Sequence, residues 1–489
     1  MLKAFVPLAA TAFLITSATA TAQTGAIGDV VQTRLGAVRG ETVTEPGATA
    51  RIYRGIPYAA APVGALRWKP PQPAAAWKGV RDATKWGNRC PQPSSSMGAG
   101  VPISEDCLFL NVVTAARNAN EKRPVFVFYH GGGLTTGASN STTYNHPKLP
   151  TQGVVTVTVN SRLGAFGYMA HPQLTAEGRG SGNQGTLDIR ASLEWIRDNI
   201  AAFGGDPANV TIMGESGGGS KVISQMASPL SHGLFHRAIV ESGSGLATSR
   251  TGTTLQAAEA RGTALATALN ATGPNALAAM RAASWQDVLA AATTSSFAGN
   301  VTVDGTVIPA TVRTLFETGR QAKVPLIVGA NAGEASLQTS VPEMATLHSA
   351  SGAPTYVYSF SQLPLGWRRE KGCVAFHGLE LTYVFGAIPV GVTSPTTQGL
   401  ARGGGCTVRT PETDADDLKV ADQASKMWAQ FAKTGDPSVP GLPAWPKFTA
   451  ANNAYMDIGS PLAAKRNVQT AYTAPPPAAG RAGAAAGAP

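Results

Sequence analysis

The residues best suited to chemistry form one short run, Gly-Glu-Ser-Gly-Gly, centred on Ser216. It follows the apolar segment 210–213 and precedes a helix-like segment, 221–227. In a Gly-x-Ser-x-Gly turn between a strand and a helix, the glycines let the backbones pass closely and the serine hydroxyl is exposed at the sheet edge. Because the chain has 55 glycines, the bare pattern also fits a glycine-rich loop. The preceding strand favours a nucleophile for acyl transfer.

A serine hydroxyl needs a base that accepts its proton, and the order typical of this turn is serine, acid, histidine. Of seven histidines, only His348 and His377 leave room for an acid after Ser216. His348 lies in an amphipathic-looking segment, 341–350, where we expect an exposed surface histidine. His377 lies on a glycine-bounded loop, which can bring its imidazole to a sheet edge. We therefore expect His377 to be the base, with a structural histidine as the alternative.

The orienting acid must lie between Ser216 and His377, where eight acidic residues occur. It should sit on a loop just after a buried strand, where it is held rigidly. Glu334 meets this condition best, since a short Ala/Asn/Gly loop joins it to the apolar segment 324–329. Asp304 is the weaker candidate, because Asp-Gly is typical of a turn.

A second glycine cluster, Gly131-Gly132-Gly133, follows another apolar strand and His130. Consecutive glycines allow backbone N–H groups to face a developing oxyanion. We assign this role to Gly132 and Gly133, joined by Gly217. A phosphate-binding loop is the alternative, but no Gly-Lys-Ser/Thr follows.

The elements that must position these residues alternate along the chain. Apolar runs without strict alternation are typical of buried parallel strands. The five runs cover residues 124–129, 154–159, 210–213, 238–240 and 325–328. Helical patterns occur at 186–202, 257–289 and 421–432. This alternation predicts an α/β fold with a mostly parallel sheet covered by helices on both faces.

The two ends differ from the domain between them. Residues 1–22 combine a positive start, a short apolar stretch and a small-residue cleavage site, which predicts a signal peptide and a secreted or periplasmic protein. No later run is long enough to cross a bilayer, so we expect no integral membrane association. Residues 474–489 are rich in Ala, Gly and Pro and are expected to be disordered. Residues 23–473 then form one large domain.

The net charge of +10 comes from scarce acids, since only 14% of residues are charged. The longest basic group is the pair Arg368-Arg369, far from a nucleic-acid-binding stripe, so we expect no nucleic-acid partner. A solvated surface pair is the preferred interpretation. The alternative is that Arg368 and Arg369 contact carboxylates of an anionic substrate.

Four cysteines in an exported chain predict disulfides, with three formal pairings. Nearest-neighbour pairing gives Cys90–Cys107 and Cys373–Cys406. The chain has no CxxC and no HExxH, so nothing in its spacing predicts a metal site.

Several motifs in order make the chain resemble the type-B carboxylesterase/lipase family, the α/β-hydrolases that include the cholinesterases. They are RGIPYA (54–59), SEDCLFLN (104–111), HGGG (130–133), NSR (160–162), GNQG (182–185), FGGDP (203–207) and GES (214–216). The resemblance covers nearly all of residues 23–473. It implies an α/β-hydrolase fold with a triad of Ser216, Glu334 and His377.

The resemblance further implies an oxyanion hole at Gly132, Gly133 and Gly217, together with the disulfide Cys90–Cys107. It also implies a structural ion pair between Arg67 and Glu105 and a supporting serine, Ser242.

The implied function is that of a secreted serine carboxylesterase, which hydrolyses a small-molecule ester through an acyl-enzyme and needs no cofactor or metal. The alternatives are a non-catalytic adhesion or scaffold member of the fold, or an amidase or thioesterase with the same triad. The sequence does not indicate the oligomeric state.

Three features depart from the family pattern. Gly217 stands where the family usually has alanine. The 42 residues between Glu334 and His377 are fewer than in relatives, which predicts a reduced lid region and a more open site. Cys373–Cys406 is less typical, and we hypothesise that it stiffens the loop of His377 in place of the missing helices.

Overall fold

The structure of the protein is a computed structural model. It describes residues 26–95, 98, 100–178, 180–243, 246, 252–389, 391–392 and 405–472. The predicted signal peptide, 1–22, and the predicted tail, 474–489, lie outside these residues.

The runs of β-branched and aromatic residues form the strands of one large sheet and two small ones. In chain order the described strands are β1 (Val30–Gln32), β2 (Ala37–Arg39), β3 (Glu41–Glu45), β4 (Ala48–Pro57), β5 (Val80–Asp82), β6 (Phe109–Thr114), β7 (Arg123–Tyr129), β8 (Val155–Val159), β9 (Gly205–Glu215), β10 (Arg237–Glu241), β11 (Thr253–Thr254), β12 (Thr302–Val303), β13 (Leu326–Asn331), β14 (Thr355–Phe360), β15 (Ala454–Ile458) and β16 (Ala463–Arg466). The five predicted apolar runs are confirmed as β7, β8, β9, β10 and β13.

The large sheet has the strand order β16-β15-β14-β13-β10-β9-β7-β8-β6-β4-β3. Strands β15 to β8 in this order pair in parallel, while β16, β6, β4 and β3 pair antiparallel at the two sides. Its register places Tyr129, Gly214, Val240 and Val328 in one row across β7, β9, β10 and β13. The residues just beyond this row therefore meet at one edge, which is where ligands bind in open α/β sheets.

Helices cover both faces of the sheet. In chain order the described helices are α1 (Lys148–Thr151), α2 (Gly164–Tyr168), α3 (Pro172–Glu177), α4 (Gln184–Asn199), α5 (Gly217–Ala227), α6 (Leu255–Ala268), α7 (Ala276–Ala282), α8 (Trp285–Thr294), α9 (Val312–Glu317), α10 (Ser340–Ala350), α11 (Leu365–Arg368), α12 (Glu380–Val384) and α13 (Ala415–Thr434). The helical patterns predicted at 186–202, 257–289 and 421–432 are thus confirmed, with 257–289 divided among α6, α7 and α8.

The side chains of β7 show why two layers of helices are needed. Val127 belongs to the core under α4, whereas Phe126 and Phe128 belong to the core under α13. Successive side chains of a strand point to opposite faces, so a strand without polar alternation must be covered twice. In the part of the chain that the structure describes, no helix has both the length and the apolar character needed to cross a bilayer.

The predicted disulfides are confirmed: Cys90 is bonded to Cys107 and Cys373 to Cys406. The stretch between Glu334 and His377 has 42 residues. It holds one 3-10 turn, α10, β14 and the four-residue α11. Because α10 packs against β13 and β14, it covers the sheet.

Candidate active site

Ser216 sits at the strained turn between β9 and α5. Its backbone has φ 57° and ψ −119°, a conformation that non-glycine residues rarely adopt. A Cβ on Gly218 would clash with the carbonyl of Tyr129 on β7, so the turn and the neighbouring strand can approach only because residue 218 is glycine. The main-chain N–H of Ser216 donates to the carbonyl of Glu241, which fixes the turn against β10 at 2.8 Å.

Glu334 and His377 meet as the sequence predicts. Nδ1 of His377 lies 2.6 Å from Oε1 of Glu334. The other oxygen of Glu334 accepts from the Ser242 hydroxyl at 2.5 Å and from the Asn331 N–H at 2.9 Å. Burial raises the pKa of Glu334, but the hydrogen bond and charge of His377 outweigh it, and the net pKa is lowered. An ionised carboxylate can only accept, so Nδ1 carries a hydrogen, and Nε2 is the nitrogen that can gain or lose a proton.

Glu215, the neighbour of Ser216, brings the two parts of the site together. Its Oε1 lies 3.0 Å from Nε2 of His377. At this distance the two groups form an ion pair when the imidazole is protonated. The side chain of His377 is 40% exposed, in line with the predicted open site.

Three further carboxyl groups belong to the same cluster as Glu334 and His377, and none of them was predicted from the sequence. They are Glu215, Glu241 and Glu380, all buried. Burial raises the pKa of Glu215 to about 7 and that of Glu380 to about 8, and it raises the pKa of Glu241 as well. Glu334 is thus the carboxyl of this cluster whose pKa is lowered. Only position could have indicated the others: Glu215 adjoins Ser216, Glu241 ends β10 and Glu380 follows His377 by three residues.

The imidazole of His377 has a pKa raised to about 10. Burial lowers it, but the charges of Glu215 and Glu334 outweigh this effect. These groups exchange protons as one coupled set, so the pH dependence of the site belongs to the cluster.

The glycine cluster turns beside Ser216. Gly132 and Gly133 have φ of 95° and 64°. The carbonyl of Gly132 accepts from the N–H groups of Thr135 and Thr136, both at 3.0 Å, and this fixes the peptide plane that carries the Gly133 N–H. Gly217 lies against this loop: a Cβ there would be 2.8 Å from Cα of Gly133. The three predicted oxyanion donors are therefore neighbours in space.

The prediction of an exposed His348 is wrong. The residue is fully buried in α10, and its Nε2 lies 2.8 Å from the carbonyl of Val324. The helix turns this face toward the sheet, where the imidazole satisfies a strand-end carbonyl. Asp304, the weaker candidate for the acid, forms a turn as expected, since its carboxylate accepts three backbone N–H groups from residues 306–308.

The two arginines considered for substrate carboxylates are paired within the chain. Arg368 donates to Asp414 at 2.6 Å and to Asp417 at 3.3 Å, at the start of α13. Arg369 donates to Glu412 at 3.0 Å. Both guanidinium groups therefore already have carboxylate partners within the chain, as expected of a solvated surface pair.

Other implied contacts are present. Arg67 forms a buried two-bond ion pair with Glu105, at 2.7 and 2.5 Å. In the described residues no group of three His, Cys, Asp or Glu side chains is placed to hold a metal ion.

Comparison with known proteins shows the family. A family model described as "Carboxylesterase family" matches residues 28–342 and 333–474. The chain belongs to the carboxylesterase family. Its α/β-hydrolase fold and carboxylic ester hydrolysis follow from that membership.

Three curated relatives illustrate the similarity. The para-nitrobenzyl esterase of Bacillus subtilis is 33% identical over 86% of this chain and 92% of the relative. The fumonisin B1 esterase of Sphingopyxis macrogoltabida is 32% identical over 81% of each chain. Human carboxylesterase 3 is 30% identical over 88% of this chain and 86% of the relative.

Proposed function

We propose that the protein is an exported serine carboxylesterase whose nucleophile, base and acid are Ser216, His377 and Glu334. The observation that carries this proposal is the bond between Nδ1 of His377 and Glu334 at 2.6 Å, which leaves Nε2, beside the neighbour of Ser216, as the nitrogen that exchanges the proton. The two disulfides support export, because such bonds persist in oxidising compartments.

The reaction proceeds in two halves. Nε2 of His377 takes the proton of Ser216 while Oγ attacks the ester carbonyl carbon, and the carbonyl oxygen becomes an oxyanion facing the N–H groups of Gly132, Gly133 and Gly217. The imidazolium then protonates the departing alcohol, which leaves an acyl-enzyme. Water, deprotonated by the same imidazole, attacks the acyl carbon and releases the acid and the free serine.

The substrate is a small-molecule carboxylic ester, as the names of the relatives suggest. The side chain of His377 is 40% exposed, which supports access by esters with bulky acyl or alcohol groups.

Hydrolysis of p-nitrophenyl acetate by the purified chain tests this proposal. We expect turnover with an initial burst of p-nitrophenol, because a leaving group this good makes deacylation the slower half. Ser216→Ala should reduce kcat by at least about ten-thousandfold. Full activity in Ser216→Ala, or an inactive folded wild type, would contradict the proposal, and the second result would favour a non-catalytic member of the fold.

A further inference from the structure

Lys221 is a buried cation that the reaction above does not use. It lies on α5, the helix that begins directly after Ser216, and only 1% of its surface is exposed. Burial alone lowers the pKa of its amine to about 7, with no carboxylate acting to raise it. A buried amine without a carboxylate partner destabilises a fold. The contacts of Lys221 should therefore indicate what role offsets this cost.

Those contacts all go to His130, the residue that precedes the glycine cluster. Nζ of Lys221 lies 3.1 Å from the main-chain carbonyl of His130 and 3.4 Å from its Nε2. Nδ1 of the same imidazole lies 2.8 Å from the carbonyl of Gly131. Lys221 therefore holds both the backbone and the ring of a residue that in turn contacts the oxyanion loop, Gly131–Leu134.

The chemistry of these atoms fixes the direction of each hydrogen bond. A carbonyl can only accept, so Nδ1 of His130 must carry a hydrogen. Burial and the charge of Lys221 lower the pKa of His130 well below its usual value, so the ring is neutral and has one hydrogen. Nε2 is then a lone pair facing Lys221, whose Nζ donates to it.

Because the peptide between Gly131 and Gly132 is planar, the hydrogen bond from His130 also affects the oxyanion hole. The carbonyl of Gly131 and the N–H of Gly132 belong to one rigid plane and point in opposite directions. When the ring of His130 holds the Gly131 carbonyl, it also sets the direction of the Gly132 N–H. That N–H is one of the donors assigned to the oxyanion hole.

We propose that Lys221 is a positioning residue for the oxyanion hole, which keeps His130 in the tautomer and orientation that aim the Gly132 N–H. This inference rests on the proposed function. An ammonium and a neutral amine can each donate two hydrogen bonds, so the role does not depend on the charge of Lys221. An apolar side chain of equal length would fill the same space without aiming the loop.

Lys221→Met tests the inference, with Ser224→Ala as the matched control. Ser224 is equally buried on α5, and within the described part of the chain its hydroxyl donates to the carbonyl of Ser220 at 2.8 Å. We expect Lys221→Met to lower kcat by about tenfold to a hundredfold with KM within about twofold, because a misaimed donor acts only on the transition state. The control should keep wild-type kcat.

Inhibitor binding gives a readout that a purely structural role would not move. A trifluoromethyl ketone adds the Ser216 oxygen and places an oxyanion in the hole, so Lys221→Met should weaken its binding by the same factor as kcat/KM. The matching methyl ketone, which stays trigonal, should bind both proteins equally. Equal binding of the trifluoromethyl ketone would overturn the inference.

A double-mutant cycle with His130→Phe tests the route. Phenylalanine keeps an aromatic ring and removes both nitrogens, so Lys221→Met should cost much less in that background than in the wild type, because only the contact with the main-chain carbonyl of residue 130 remains to be lost. Additive losses, or wild-type kcat in Lys221→Met, would overturn the inference. If Lys221→Met does not fold, Lys221→Gln replaces it, because glutamine is too short for both contacts, and wild-type kcat there would equally overturn it. Wild type and Ser216→Ala in the same assay show separately whether the proposed function itself fails.

Discussion

Two regions of the proposed active site, which we call the nucleophile side and the acid–base side, are held by different means. The nucleophile side, residues 130–134 and 214–218, follows directly from β7 and β9, adjacent strands in the middle of the sheet. The acid–base side consists of Glu334, three residues after β13, and His377, on a loop beyond β14 and α11. The first side is fixed by strand register, whereas the second depends on side-chain hydrogen bonds and a disulfide.

This contrast indicates which residues of the site can be substituted with only a partial loss of activity. On the nucleophile side the backbones are so close that even a methyl group has no room, as at Gly217 and Gly218. On the acid–base side, Cys373 is bonded to Cys406 and the carboxylate of Glu370 accepts the N–H groups of Thr407 and Val408. These contacts hold the segment before His377 to the segment after 405, so losses there should be graded.

The largest effect is expected from substitution of Glu334, the acid at the centre of the acid–base side. Glu334→Gln should lower kcat by about a thousandfold, because an amide can stabilise the wrong tautomer of His377 and cannot stabilise the imidazolium. Steady-state hydrolysis of p-nitrophenyl acetate measures this loss. Glu343→Gln, which alters a surface pair with Arg313, is the control and should keep wild-type kcat. A loss below about tenfold in Glu334→Gln would remove Glu334 from the triad.

The next effect tests the close fit of the nucleophile side. Gly217→Ala restores the residue that the family usually has, yet here it should lower kcat by about tenfold to a hundredfold, because the methyl group would push the Gly133 N–H away. KM should change little. Gly28→Ala is the control, since nothing lies closer than 4.0 Å to a Cβ there. Wild-type kcat in Gly217→Ala would show that the oxyanion loop has room to move.

A smaller effect concerns the contact between the two sides. The base form of His377 is needed, and its pKa is raised, so kcat/KM should be high at alkaline pH and fall as pH decreases through an apparent pKa above 6.5. Glu215→Gln removes the charge that raises this pKa most, so the fall should move to lower pH by about one unit. A pH profile of both proteins measures the shift. A shift toward higher pH, or none, would mean that Glu215 does not act on His377.

The smallest effect concerns the disulfide near His377. Removing it with Cys373→Ser and Cys406→Ser should lower kcat by about two- to fivefold, while Glu370 retains part of the connection and limits the fall in Tm. The other disulfide is the comparison: Cys90→Ser with Cys107→Ser should mainly lower Tm, because both cysteines are in the core. Kinetics and thermal unfolding check both pairs. Unchanged kcat without Cys373–Cys406 would reject the stiffening hypothesis.

The proposed nucleophile side and the central strands could be predicted from the sequence alone. The strand-turn-helix around Ser216 and the glycines after His130 are local features, and apolar runs such as 124–129 and 325–328 are typical of buried strands. The sequence also placed Glu334 by its distance from a strand end. The sequence did not indicate β14 or β15. Their places in the sheet depend on pairing with strands far away in the chain.

The interactions between the residues of the site depend on the folded structure. Packing and proximity, which no local pattern encodes, bring Glu215 and Glu380 close to His377 and place Lys221 against His130. They also bury His348, because the face that a helix turns inward depends on what it packs against. Local sequence sets backbone conformation, whereas pKa values and the aim of a hydrogen bond arise from residues that meet only after folding.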